Sequence, residues 1–141
     1  MLLVAVLSLQ AYPLPDSVTS IGVGAFHSCK KLKEITLPTS VTSIGNSAFI
    51  SCSELTEITI PNGVKSIEKD LFNTCKKLTK ITIPSSVTSI GNTAFSYCSL
   101  LTSICYGGTM EQWTAIEKKS NWNSNTGTYT IYCTDGNIEK N

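Results

Sequence analysis

The sequence predicts a solenoid, a stack of 23-residue coils closed by a tail of different composition. Three observations lead to it. Pro15, Pro38, Pro61 and Pro84 recur at a fixed spacing of 23, and so do Val18, Val41, Val64 and Val87. Ile21, Phe26, Leu32 and Ile35 each open a column of the same period. One such unit cannot bury its apolar face alone, whereas stacked units share a continuous core. Second, the segment LKEITLP sets Leu32, Ile35 and Leu37 between polar Lys33, Glu34 and Thr36 and leaves through Pro38. That pattern is a short strand, because proline lacks the ladder's amide hydrogen and holds the preceding residue extended. Third, the period ends after Ile104, where a solenoid needs a terminus that covers its last apolar face and its last strand edge.

Taken in order, residues 1–14 read in two ways. MLLVAVLSLQAY has the apolar run of a secretory signal but lacks its positive start. Leu9, Tyr12 and Leu14 also fall on the positions of Leu32, Ile35 and Leu37, as a degenerate first repeat strand would. The run is too short to span a bilayer. Residues 15–106 carry four repeats. After each strand, SVTSIG predicts a second short extended run from its β-branched residues, and Gly45-Asn46 a turn. NSAFISC then predicts a helical turn or two, with Asn46 as N-cap and Ala48, Phe49 and Cys52 on the buried side. The third copy departs by carrying Glu68 where the others have glycine and Leu71 where they have alanine, so its turn is expected shifted but retained. Residues 107–141 predict a C-terminal cap: Thr109 caps a helix through Met110, Trp113 and Ile116, a polar loop runs from Ser120 to Gly127, and Thr128 to Cys133 alternate as a final strand.

Composition removes several function classes. The 141 residues suffice for one domain, and 41% hydrophobic content is enough for a core. The formal charge of +1 offers no field to gather nucleic acid or an anionic membrane. All the cationic side chains are lysines, so the planar fork for bidentate phosphate or carboxylate recognition is missing. No CxxC pair occurs and His27 is the only histidine, which argues against zinc and any other metal; no cofactor motif is present either.

Across residues 9–106 the pattern LxxIxLPxSVTSIGxxAFxxC resembles the BspA-like, or Treponema pallidum type, leucine-rich repeats. The tail segments YGGTMEQWTAI, NWNS and YTIYCTDG resemble the terminal cap of many gut-bacterial members. Ser17, Ser40, Gly63 and Ser86 stand near the turn after the strand, where ordinary leucine-rich repeats use asparagine, so no asparagine ladder is expected. The resemblance implies a leucine-rich-repeat solenoid with short parallel strands on the concave face, short strands and helical turns on the other side, and an α/β cap. It also implies a non-catalytic binding or adhesion module of a secreted or cell-surface bacterial protein, recognising host or microbial protein or glycan. A structural spacer, or a fragment of a longer array with no ligand of its own, is the alternative. The oligomeric state is not legible.

Few residues remain free to recognise anything. Parallel strands stack about 4.8 Å apart, so Thr36, Thr59 and Thr82 form an exposed row. Lys33, Thr56 and Thr79 flank it on one side and Glu34, Glu57 and Lys80 on the other. Threonine is also simply a good exposed strand residue. Trp122, in the polar loop, is expected exposed and available for contact, whereas Trp113 is expected to pack the cap helix on the last repeat. Cys29, Cys52, Cys75 and Cys98 recur with the period and read as a buried ladder of reduced thiols. Cys105 and Cys133 lie outside it, a pair that an oxidising compartment could bridge. His27, two residues before Cys29, does not activate a nucleophile, because a core thiol has a raised pKa and no access. Asp135-Gly136-Asn137 reads as a turn, since one acidic side chain cannot build a calcium site.

Overall fold

The structure, a computed structural model, describes residues 11–140. Leu9 and the signal-like run before it lie outside the described residues. Each coil opens with a strand, and from the second coil onward its isoleucine points inward between outward-facing neighbours. These strands are β1 (Ala11–Pro13), β3 (Glu34–Thr36), β5 (Glu57–Thr59), β7 (Lys80–Ile83), β9 (Ser103–Tyr106) and β11 (Thr130–Cys133). A shorter strand follows in each of the first five coils: β2 (Ser20–Ile21), β4 (Ser43–Ile44), β6 (Ser66–Ile67), β8 (Ser89–Ile90) and β10 (Glu117–Lys118). Strand pairing is parallel and in repeat register, Tyr12 facing Ile35, Ile58 facing Ile81 and Ile81 facing Ile104. Proline makes the corner between the two strands. It has no amide to give, but its carbonyl accepts the valine amide three residues on, at 3.1 Å for Pro38 and Val41.

The core is a set of one-residue columns. Leu32, Leu55, Leu78 and Leu101 are wholly buried, and Phe26, Phe49, Phe72 and Phe95 stack nearly parallel with ring centroids 5.1, 5.7 and 5.5 Å apart. Each such side chain contributes on the order of 1.5–3 kcal/mol by leaving water.

The expected helical turn does not form. In the second coil the amides of Ala48, Ile50 and Cys52 bond the residue three back, while those of Ser47, Phe49 and Ser51 bond Lys69, Leu71 and Asn73 of the next coil. Alternate amides are thus spent between coils, which an α-helix would forbid. Ser47 and Ser51 hold φ at 60° and 61°, breaking any right-handed propagation, and Asp70, Thr74, Thr93 and Tyr97 repeat that geometry. Asn46 therefore caps no helix; its carbonyl accepts the amide of Gly24.

The tail continues the coil as well as closing it. Between β9 and β10 the chain inserts α1 (Met110–Ala115), whose N-terminus carries a capping box between Thr109 and Gln112. Lys118 donates to the carbonyls of Trp113 and Ile116 at its other end. The polar run after Lys119 is a further set of turns, with Asn121 and Asn125 at φ 58° and 56° and the carbonyls of Ser120, Trp122 and Ser124 accepting from Thr93, Phe95 and Tyr97. β11 then pairs with β9, Ile131 facing Ile104, and β12 (Gly136–Glu139) turns back antiparallel to cover its edge.

Neither sheet is continuous. Among the described residues β1 pairs only with β3 and β2 with β4, while β5-β7-β9-β11-β12 and β6-β8-β10 form separate sheets. Both interruptions fall between the second coil and the third.

Candidate functional site

The strand face carries two outward rows, built by the alternation of the short strands. Glu57, Lys80, Ser103, Thr130 and Glu139 follow one another in register, with Glu34 at the same position of β3. Thr59, Thr82, Cys105 and Tyr132 make the second row, with Thr36 ahead of them. Glu34, Thr36, Glu57, Thr59 and Lys80 line a depression of about 440 Å³ on this face, floored by Ile35, Leu37 and Ile58. Glu57 and Lys80 are register partners but form no ion pair; the surface bridge between Glu54 and Lys77, at 3.0 Å, lies elsewhere.

The flanking row is less free than the sequence suggests. Thr56, Thr79 and Thr102 turn their hydroxyls onto the carbonyls of Lys33, Thr56 and Thr79, at 3.4, 3.1 and 3.2 Å. They tie coil to coil, which leaves Glu34, Thr36, Glu57, Thr59, Lys80 and Thr82 as the outward side chains without such a tie, with Lys33 exposed beside them. Tyr132 is a residue that sequence reasoning missed. At 44% exposure it is the large aromatic side chain in the threonine row. The signal was Ile131, which continues the isoleucine column only after a longer interval than the repeat.

Trp122 is not the exposed loop residue expected. It is half-buried against the core, meets Phe95 edge-on at 6.2 Å and touches Trp113 and Tyr129 at 6.1 and 6.4 Å. It occupies the place of Ala48, Leu71 and Ala94, whose carbonyls also accept from the preceding coil, and so plugs the phenylalanine stack. Trp113 packs as expected, buried between Tyr106 and Trp122.

The four periodic cysteines are buried and form no disulfide. Cys52, Cys75 and Cys98 each donate a thiol hydrogen, at 3.1 Å, to the carbonyl of Phe26, Phe49 or Phe72 in the preceding coil. Burial raises the Cys52 and Cys98 pKa values to about 12 and that of Cys75 well above its ordinary value. Cys105 and Cys133 are free, and the bridge considered from sequence is absent. Tyr132, not Cys133, faces Cys105, and successive strand residues alternate, so the two thiols lie on opposite sides of the sheet. Asp135 has a structural task, its Oδ1 accepting the amide of Met110 in the first turn of α1 at 2.8 Å. Among the described residues no three His, Cys, Asp or Glu side chains converge as a metal set would, and no helix is long and apolar enough to cross a membrane.

Residues 5–127 match, in six copies, the family model of the BspA type leucine-rich repeat region. None of the curated proteins compared matches the chain. Among solved structures, a leucine-rich cell surface protein from Faecalibacterium prausnitzii is 36% identical over 79% of this chain, with a TM-score of 0.63. The leucine-rich repeat protein of T. pallidum is 33% identical over 68%, with a TM-score of 0.65. A leucine-rich repeat protein from Bacteroides ovatus is 27% identical over 68%, with a TM-score of 0.61. The chain spans 35%, 47% and 39% of the lengths of those three chains.

Proposed function

Because the chain belongs to the BspA-type leucine-rich-repeat family, we propose that it is a non-catalytic binding module of a secreted or cell-surface bacterial protein. Its ligand in this reading is a protein or glycan of a host or neighbouring cell. The observation that carries it is the strand face. Glu34, Thr36, Glu57, Thr59, Lys80 and Thr82 rim one depression with unpaired hydroxyl, carboxylate and ammonium groups above an apolar floor. Such a surface offers many shallow contacts and no nucleophile with an activating base. Surface display is supported by the name of the Faecalibacterium prausnitzii relative. Residues 1–14 are read as a degenerate first repeat strand or a signal remnant, 15–106 as the regular repeats and 107–141 as the cap.

The test is an array of glycans and extracellular-matrix proteins probed with the purified chain, then with Thr59→Lys and Thr82→Lys. The reading expects a ligand whose binding falls at least tenfold in both variants. Binding that both variants leave unchanged removes the strand face from the reading. A second reading, a spacer within a longer array, is favoured by the chain's spanning 35–47% of the three structural relatives named above; it expects an empty array.

A further inference from the structure

We infer that the boundary between the second and third coils is a mechanical joint, which divides the solenoid into two blocks that open independently. On the short-strand side, the same three ties cross the first–second and third–fourth coil boundaries. Between the first and second coils, the Ser40 hydroxyl donates to the Val18 carbonyl at 2.6 Å, the Thr42 amide to Thr19 at 2.9 Å and the Gly45 amide to Ile21 at 2.8 Å. Between the third and fourth, Ser86 donates to Val64, the Thr88 amide to Lys65 and the Gly91 amide to Ile67, at 2.8, 2.9 and 2.7 Å. The equivalent residues between the second and third coils are Gly63, Lys65 and Glu68. Gly63 has no hydroxyl, and among the described residues neither Lys65 nor Glu68 gives its amide to the coil before it.

Glu68 supplies the cause. A Cβ on Gly45 would lie 2.6 Å from the Val23 nitrogen, and one on Gly91 2.6 Å from the Lys69 nitrogen, so within the regular repeats this approach leaves no room for a side chain; only past α1, in the altered last coil, does Lys119 take the position and keep the tie to Ile90. Glu68 carries that Cβ toward the backbone of Gly45 and Asn46, and its coil stands off. Its carboxylate instead accepts the Ser66 hydroxyl within the third coil. β4 and β6 do not pair, nor do β3 and β5.

The turn side remains joined. Ser47, Phe49 and Ser51 still donate to Lys69, Leu71 and Asn73, and Cys75 still donates to Phe49. The Phe49–Phe72 separation, 5.7 Å, is the widest of the three ring stacks, and the Thr56 amide reaches Lys33 at 3.3 Å where its equivalents span 2.8 and 2.9 Å. The turns are thus the hinge line and the strand faces are the lips. The depression opens between them, Glu34 and Thr36 on one lip, Glu57 and Thr59 on the other. In a solenoid each coil is held by its neighbours, so one weakened interface separates two cooperative units. This holds whatever the strand face binds.

Amide hydrogen exchange by NMR on the whole chain tests it. In the native protein the amides of Lys65 and Glu68 are expected to exchange at least tenfold faster than those of Thr88 and Gly91. In mild denaturant the amides of Thr42 and Gly45 are expected to open with a different dependence from those of Thr88 and Gly91. Glu68→Gly, alone or with Gly63→Ser and Lys65→Thr, should slow exchange at 65 and 68 to the level of 88 and 91. Glu68→Ala, which keeps the Cβ, should not, although alanine is ordinarily the stiffer residue. Equal protection at all four amides in the native chain overturns the joint, as does an alanine variant that closes the boundary as well as glycine.

Discussion

Cys75 Sγ lies 3.1 Å from the carbonyl oxygen of Phe49 and donates its hydrogen across the coil boundary. The same bond joins Cys52 to Phe26 and Cys98 to Phe72, so the thiols are protonated parts of the backbone ladder. In the native protein at pH 8, a soluble thiol reagent should modify Cys105 and Cys133 while Cys52, Cys75 and Cys98 stay unmodified until denaturant is added. A ladder thiol that reacts as fast as Cys105 contradicts this. The pH dependence follows from the raised values. These thiols keep their protons in the fold while the unfolded chain loses them near its ordinary value of 9.0. Their stabilisation is therefore complete below pH 9 and is withdrawn as the pH rises toward about 12, the folded value of Cys52 and Cys98. The loss is roughly 1.4 kcal/mol per pH unit for each buried thiol. Urea unfolding at pH 8, 9 and 10 measures it.

Gly45→Ala should be among the most damaging small substitutions in the chain. The new methyl would meet backbone atoms of Val23 and Gly22 at 2.6 and 2.9 Å, and backbone cannot rotate away as a side chain can. A loss of about 2 kcal/mol or more is expected by urea denaturation. Gly63→Ala is the comparison, since its Cβ would first touch the Thr42 methyl at 3.1 Å. It should cost clearly less, and equal losses would contradict the stacking account.

Thr74→Asn should stabilise. Thr74 holds φ at 65°, a left-handed geometry that β-branched residues tolerate poorly and asparagine far better. A gain of about 0.5–1 kcal/mol is expected in the unfolding midpoint. Destabilisation would mean that the Thr74 hydroxyl bond to Asn73, at 3.0 Å, outweighs the backbone strain.

Lys118→Ala should loosen the end of the molecule without touching the repeats. The ammonium closes α1 through Trp113 and Ile116 at 2.7 and 3.1 Å and sits 4.9 Å from the centre of the Trp113 ring. Its removal should cost about 1–2 kcal/mol. The near-ultraviolet circular dichroism of the tryptophans should weaken at unchanged far-ultraviolet signal; identical near-ultraviolet spectra would refute the role.

The coil and its core were legible because each inward position is filled by the same residue type every 23 residues. Ile35, Phe49 and Leu55 could hardly be read otherwise. Glu68 was visible as a departure, but its effect depends on how closely the next backbone approaches, which no single sequence position reports. The turn segment misled because Ala48, Phe49 and Cys52 suit a helix and a chain of turns equally well. What decides between them is where the Ser47 and Phe49 amides go, a property of the neighbouring coil. The tail hid its continuation because α1 enters between β9 and β10 and moves Ile131 and Trp122 off the period. Trp122 then looked like a loop residue, although it occupies a core position.

The Phe95–Trp122 contact also bears on how such a gene can change length. Upstream of it, every coil presents the next with a ring of similar orientation, so recombination that adds or deletes one 23-residue unit would rebuild the same ring stack. Trp122 stands at 84° to Phe95 and offers no parallel ring to a successor. Duplication downstream of that tryptophan would yield a coil with nothing to stack on, and inheritance should preserve copy-number variation only on the N-terminal side of the plug.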